Sequence, residues 1–272
     1  MKIGELFDVT GLVTIITGGA SGIGLGIAEA MAENGAKVFL FDRNDETVHA
    51  EVERLRGDGY DVRGALVDVT DADGLAAAFD AVKAEAGRVD VAFVNAGIGG
   101  GPGFLKTDNT RNTERLFEDL PVDQLEGVLS VNVVGAFLTI QQASRIMREQ
   151  KAGRIIVTSS VSAFRTEPHV GTPYVVSKGA VGQLVRQAAF ELAREGINVN
   201  AIAPGPFITN ISGGRLQDPE VQAPFAKLIP MHRMGTPADV QGLALFLASP
   251  ASSYITGAHI FVDGGGMLGI AD

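Results

Sequence analysis

Seven short runs of Val, Ile, Leu, Phe and Ala recur along the chain, each bounded by Gly, Asp or Asn. They are LVTIIT (12–17), KVFLFD (37–42), VRGALV (62–67), VDVAFV (89–94), RIIVTS (154–159), INVNAI (197–202) and AHIFVD (258–263). They are near-continuously apolar rather than alternating, which is how strands buried on both faces read. Between them the spacing predicts helices over 22–34, 45–56, 71–86, 122–149, 173–195 and 237–248. Asp71, ahead of Gly74-Leu75 and a run of alanines, marks a capped start. Strands alternating with helices make βαβ units and a parallel sheet. Right-handed crossovers then place helices on both faces, giving an α/β, doubly wound architecture.

No shift in composition divides the 272 residues, so one domain over 1–272 is expected. Two segments break the rhythm: 97–121, Gly-rich and polar, and 203–236, with prolines at 204, 206, 219, 224 and 230. Both follow strands, so they are expected at the strand carboxyl ends, where open parallel sheets bind ligands. The net charge of −10 argues against nucleic-acid binding through a basic face. It also gives no electrostatic reason to sit on an anionic membrane. The absence of cysteine excludes disulfides and thiolate metal sites, and His49, His169, His232 and His259 are scattered singly, so no metal is expected. The N-terminal residues do not read as a signal peptide, and no run reaches 18 uninterrupted apolar residues. A cytoplasmic protein is the expectation.

The first strand runs into Thr17-Gly18-Gly19-Ala20-Ser21-Gly22-Ile23-Gly24 and then a helix. Free N–H groups and a partial positive charge at a helix start suit a pyrophosphate, and glycines leave no Cβ in its way. Asp42 ends the second strand, at the place expected to bond the adenosine ribose hydroxyls. Asp68 and Val69 end the third and border the adenine in the same reading. Tyr174 and Lys178 stand four apart on one helix face. A neighbouring ammonium favours phenolate, so Tyr174 is a candidate acid–base. Ser160 ends the fifth strand and is placed to hold a substrate oxygen, with Ser159 and Ser162 as rivals. Asn132 interrupts an otherwise apolar helix and needs partners if buried.

Thr17-Gly18-x-x-x-Gly22-x-Gly24, Asn95-Ala96-Gly97, Asn132, Ser160, Tyr174-x-x-x-Lys178 and Pro204-Gly205 occur in that order. Taken together, this set resembles the short-chain dehydrogenase/reductase family, in its compact single-domain branch, over essentially the whole chain. The resemblance implies a Rossmann-type, seven-stranded parallel sheet in the order 3-2-1-4-5-6-7. It implies reversible hydride transfer between NAD and a secondary alcohol or ketone, with Tyr174 as acid–base. Lys178 would tune Tyr174 and bond the nicotinamide ribose, Ser160 would hold the substrate oxygen, and Asn132 would hold a water of a proton relay. Asn95, Ala96 and Gly97 would border the cofactor, Pro204 and Gly205 would bend the chain, and Thr209 would bond the nicotinamide carboxamide. Val94 replaces the first Asn of the usual Asn-Asn-Ala-Gly.

Asp42 and the uncharged Ser21 favour NAD over NADP, against the adjacent Arg43. The rival readings are a 3-oxoacyl carrier-protein reductase using NADPH and a non-catalytic nucleotide-binding regulator. Phe104, Leu105, Phe117, Phe207, Ile208, Phe225, Leu228 and Met231 in the two long loops suggest an apolar or cyclic alcohol. His169 precedes Tyr174 and reads more readily as a surface residue. The resemblance also implies a homotetramer, with 122–149 and the Tyr174 helix buried across one contact and the C-terminal FVDGGGMLGIAD in a second.

Overall fold

A computed structural model describes residues 2–106, 108–211 and 214–269. Seven strands form one sheet: β1 Val13–Thr17, β2 Lys37–Asp42, β3 Val62–Leu66, β4 Val91–Val94, β5 Gly153–Thr158, β6 Ile197–Pro204 and β7 His259–Val262. The order is β3-β2-β1-β4-β5-β6-β7, and every pairing is parallel. Each strand lies within two residues of its predicted run. The helices are α1 Ile3–Leu6, α2 Gly22–Glu33, α3 Asp45–Gly57, α4 Ala72–Ala86, α5 Val122–Leu129, α6 Ala136–Gln150, α7 Thr172–Leu192, α8 Pro219–Lys227 and α9 Ala238–Ala248.

The pleat explains the continuous apolar runs. Val13 and Ile15 of β1 face one core with Leu75 and Phe79 of α4, Ile146 of α6 and Val185 of α7. Ile16 faces the other core, with Ile27 and Met31 of α2, Val52 of α3 and Leu247 of α9. Burial of each such side chain contributes about 1.5–3 kcal/mol. Phe41 and Phe79 add an edge-to-face pair, centroids 5.7 Å apart. Local signals fix several helix ends. Asn44 caps α3 by accepting from Thr47 N–H, and Asp71 caps α4 by accepting from Gly74 N–H. Gly87, at φ +78°, ends α4 in the left-handed conformation.

Two elements depart from the predicted pattern. The helix expected over 122–149 is divided: Ser130–Gly135 forms a π turn between α5 and α6. By length and composition Val122–Gln150 would suffice to cross a membrane. In this fold it belongs to the layer over the sheet, with Ile140, Ala143, Ile146 and Met147 buried. The proline-rich 203–236 segment also contains α8. Pro219 opens that helix and Asp218 caps it by accepting from Glu220 N–H, while Pro224 interrupts its backbone ladder.

Candidate active site

The chain leaves β1 at the sheet centre for β2 and β3, then returns to β4 on the other side. The crevice at that reversal is where the predicted residues gather. Gly18 and Gly22 have φ of +64° and +53°, in the left-handed region. A Cβ on Gly24 would collide with the Gly18 carbonyl and lie 2.5 Å from Asn95 Nδ2. Ser21 stands at the start of α2 without a side-chain capping bond. The first N–H groups of α2 are therefore free to receive an anion, so the turn fits a pyrophosphate.

Asn95 and Thr17 tie this turn to the sheet. Asn95 Nδ2 donates to Gly18 O at 3.1 Å, and Thr17 Oγ1 accepts from Asn95 N at 3.1 Å and Ala96 N at 3.3 Å. Thr158 of β5 donates to Asn95 Oδ1 at 2.9 Å. Asp42 Oδ2 accepts from Ala20 N and Oδ1 from Asn44 N, both at 3.3 Å, which aims the carboxylate along the crevice. Asp68 and Val69 line the same end. Asp68 binds Thr70 through both the backbone N–H and the hydroxyl, which holds its carboxyl below the ordinary range, with a smaller effect from Arg43. Thr209 is buried, packs over Gly22 and accepts from Ile211 N at 3.4 Å. Gly205 N donates to Val262 O at 3.0 Å, and a Cβ there would press on Asp263.

Ser160, Tyr174 and Lys178 meet deeper in the crevice. Ser160 follows β5, is buried, and lines the same cavity as Tyr174, where its hydroxyl favours the phenolate. It also accepts from Ser162 N and donates to Ser162 Oγ, each at 3.1 Å. Of its rivals, Ser159 is buried with no partner for its hydroxyl among the described residues, and Ser162 is engaged with Ser160 itself. Tyr174 lies in the first turn of α7, which Pro173 helps to start. One turn on, Lys178 Nζ sits 5.6 Å from the Tyr174 ring centroid and donates to Thr158 O at 2.8 Å.

The expectation that Lys178 pulls the phenol below its ordinary value is not met in the protein alone. Desolvation pushes the Tyr174 phenol up, the Ser160 hydroxyl opposes this, and the Glu167 carboxylate adds to the rise. Burial likewise lowers Lys178 to about 8.

Asn132 lies in the π turn, and its side chain is tied to protein at both its oxygen and its nitrogen. Oδ1 accepts from Ile98 N at 2.8 Å, and Nδ2 donates to Ile98 O and Ser177 Oγ, both at 3.0 Å. Both amide hydrogens are used, so a relay water would meet the side chain as a donor to the second lone pair of Oδ1. Ser177 escapes prediction because nothing distinguishes it from any helical serine; its hydroxyl passes the link to Tyr174 O at 2.7 Å.

The loop after β4 is pressed onto the segment before Tyr174. Gly103 N donates to His169 O at 3.1 Å and Gly171 N to Gly101 O at 3.0 Å, and a Cβ on Gly100 would lie 2.6 Å from Tyr174 N. The resulting cavity is about 770 Å³. Of the apolar residues expected to wall it, Phe207, Phe225 and Leu228 do so. Phe104, Phe117 and Met231 are instead exposed, and Leu105 pairs with Arg111 in an isolated bridge. Arg165, Glu167 and His169 complete the wall, so His169 is a cavity residue rather than a surface one. Arg165 and Glu167 carry no periodic signal. Only their position ahead of Tyr174 hinted at them.

A family model described as enoyl-(acyl carrier protein) reductase matches residues 18–266. The chain is 37% identical to galactitol 2-dehydrogenase (L-tagatose-forming) of Cereibacter sphaeroides, over 97% of this chain and 98% of that one. It superposes with a TM-score of 0.86 on a gluconate 5-dehydrogenase of Burkholderia cenocepacia solved with NADP and tartrate, at 32% identity and over 98% of this chain and 99% of that one. The same TM-score, 0.86, relates it to a 7α-hydroxysteroid dehydrogenase solved with NADH and a 7-oxo bile acid, at 31% identity and over 100% of this chain and 99% of that one. The glycine turn, the Ser160–Tyr174–Lys178 group and this likeness along the whole sheet lead to one conclusion: the chain belongs to the short-chain dehydrogenase/reductase family, as a nicotinamide-dependent oxidoreductase of secondary alcohols and ketones.

Proposed function

We propose that the enzyme uses NAD, with Tyr174 as its acid–base, and that residues 1–272 work as one domain in the cytoplasm, as a homotetramer. The observation that carries the reading is the Ser160–Tyr174–Lys178 group, buried at Ser160 and Lys178 and half-buried at Tyr174, beside an uncapped glycine turn. The nicotinamide supplies the hydride acceptor and donor. The remaining work falls to the chain. Gly18, Ser21, Gly22, Ile23 and Gly24 receive the pyrophosphate, Asp42 the adenosine ribose, and Asp68 and Val69 the adenine edge. Asn95, Ala96 and Gly97 brace the turn. Pro204, Gly205 and Thr209 flank the nicotinamide, and Lys178 bonds its ribose. In oxidation the Tyr174 phenolate takes the alcohol's hydroxyl proton; in reduction the phenol returns it to the forming alkoxide. The Ser160 hydroxyl turns from Ser162 to the substrate oxygen and steadies its charge.

Asp42 supports NAD: it is held by two backbone N–H groups, and a 2′-phosphate would meet a fixed negative charge. Arg43 acts on Asp68. A net charge of −10 is a poor match for an acidic carrier protein, which disfavours the carrier-protein alternative. The test is absorbance at 340 nm with NAD or NADP and a panel of secondary alcohols, alongside Tyr174→Phe. That variant should keep NAD binding and lose at least 10²-fold in turnover. More than a tenth of wild-type activity would remove Tyr174 from its role.

A further inference from the structure

Among the described residues that line the cavity, the lysine and arginine cations are Arg43, Arg165 and Lys178. Arg43 adjoins Asp42 at the adenosine end, and Lys178 is buried on Thr158 O. Arg165 stands in the segment that joins Ser160 to Tyr174, and its guanidinium is pinned on two sides. Nε donates to Glu167 Oε1 at 2.7 Å, and Nη1 donates to Gly266 O. The carbonyl of Gly266 is itself fixed by a tight turn, in which Asp263 accepts from Gly265 N at 3.0 Å and Met267 N at 2.8 Å. Three of the five guanidinium N–H groups, both on Nη2 and the second on Nη1, keep no partner among the described residues. Of the ion pair, Glu167 is the enclosed member, its side chain 14% exposed against 37% for Arg165. His169 stands in the same wall. Its backbone carbonyl is held by Gly103 N–H at 3.1 Å, and its ring meets Phe225 edge-on, centroids 6.1 Å apart. Nδ1 is buried with no partner among the described residues. A nitrogen with no acceptor in reach is the poorer place for the single proton of a neutral imidazole, so Nε2 carries that proton and is a donor. Phe225, Leu228 and Ile229, which share the wall, offer no polar side-chain atom.

We propose that Arg165 and His169 form a carboxylate-binding subsite, so that the substrate is a hydroxy acid and its keto acid rather than a neutral polyol. This rests on the dehydrogenase reading above. A planar guanidinium with adjacent free N–H groups takes a carboxylate in a fork, and a pinned one loses little freedom in doing so. The Arg165–Glu167 pair carries no net charge. A carboxylate on the free N–H groups nevertheless touches the cation and stays farther from Glu167, so attraction exceeds repulsion. One guanidinium and one imidazole N–H suit a single negative charge; a phosphate dianion would bring a second one to a wall that already holds Glu167 and Asp263. The carboxylate is held and takes no part in hydride transfer. Arg165 follows Ser160 by five residues and His169 precedes Tyr174 by five, so one segment grips the substrate at its charged end and at its reacting oxygen.

The test compares D-gluconate with D-glucitol, one carbon skeleton with and without a carboxylate, and with the phosphate ester of D-glucitol as a second kind of anion. Binding is measured by calorimetry on the NADH-loaded enzyme, where these alcohols cannot react, and turnover by NADH absorbance with NAD. Gluconate should be favoured more than tenfold over glucitol in both, and should bind better than the phosphate ester. Arg165→Met should bring gluconate and glucitol within about threefold or reverse them. Arg165→Met combined with Glu167→Gln should also level them, which separates loss of the cation from release of the Glu167 carboxylate. His169→Phe should weaken gluconate several-fold, and His169→Gln, which keeps a donor, should recover part of the loss. A merely structural role would weaken all three compounds alike and leave the ratios unmoved. Glucitol binding as well as gluconate, neither binding, the phosphate ester binding best, or an unchanged ratio in the double variant each overturns the proposal. A plain secondary alcohol turning over while gluconate does not bind would overturn it and leave the dehydrogenase reading standing. No NAD binding and no turnover with any alcohol would remove that reading instead.

Discussion

A buried amine and a half-buried phenol one helical turn apart give the native chain its own titration, separate from catalysis. Lys178 loses its proton at about 8 instead of the ordinary 10.5, because burial penalises the ammonium. Between those values the unfolded chain holds a proton that the native chain does not, so stability rises with pH there. Tyr174, raised by burial, works in the opposite sense once pH passes the phenol's ordinary value of 10. The gain is therefore read between pH 8 and 10. Denaturant unfolding of the cofactor-free protein should show it, and Lys178→Met should flatten it; equal slopes in the two proteins would refute the desolvated amine. Asp42 carries the second expectation at this scale. Two unit charges about 4 Å apart repel by roughly 4 kcal/mol at an effective dielectric near 20. Even half of that exceeds tenfold in affinity. Asp42→Ala should narrow the preference by raising kcat/KM with NADP and lowering it with NAD. Equal or better efficiency of the unmodified enzyme with NADP would count against the ribose role.

The strands and most helices were legible because their signals are local. VTIIT is apolar on both faces since both faces of β1 are covered, and Asn44 and Asp71 announce their helices by capping them. The π turn was not legible. One extra residue in a turn leaves the apolar pattern of 122–149 almost unchanged, and only the misplaced Asn132 betrays it. That turn carries the side chain to Ile98, and through Ser177 to the turn bearing Tyr174. Glu167 was hidden for another reason. Its place in the cavity wall depends on how the loop before Tyr174 folds, which no spacing encodes. Replacing Asn132 by Ala would strand the half-buried Ile98 N–H and C=O. A cost of about 2–4 kcal/mol is expected, together with a fall in kcat of tenfold or more. A loss under 1 kcal/mol by chemical denaturation would show that the π turn holds its shape without the amide.

At the scale of the whole molecule, the two cores leave apolar side chains outside. Val134 and Phe137, in the π turn and α6, and Val176 and Phe190, in α7, face solvent, Phe190 at 86% exposure. Phe261 of β7 and Leu268 beyond it are also exposed. Residues 270–272 of the expected second contact lie outside those described. Single exposed apolar residues are ordinary, but several on two neighbouring helices mark a surface suited to another copy of the chain. The long helices do pack on one sheet face, as Ile146 and Val185 show. Their outer sides are what a two-fold contact would bury. The prediction is a tetramer by light scattering at micromolar concentration. Phe137→Asp combined with Phe190→Asp should give dimers or monomers that keep the native far-ultraviolet circular dichroism. Neither residue lines the cavity, so NAD binding should survive the change in mass. A monomer from the unmodified chain, or a tetramer undisturbed by two carboxylates on this surface, would place the contact elsewhere or remove it.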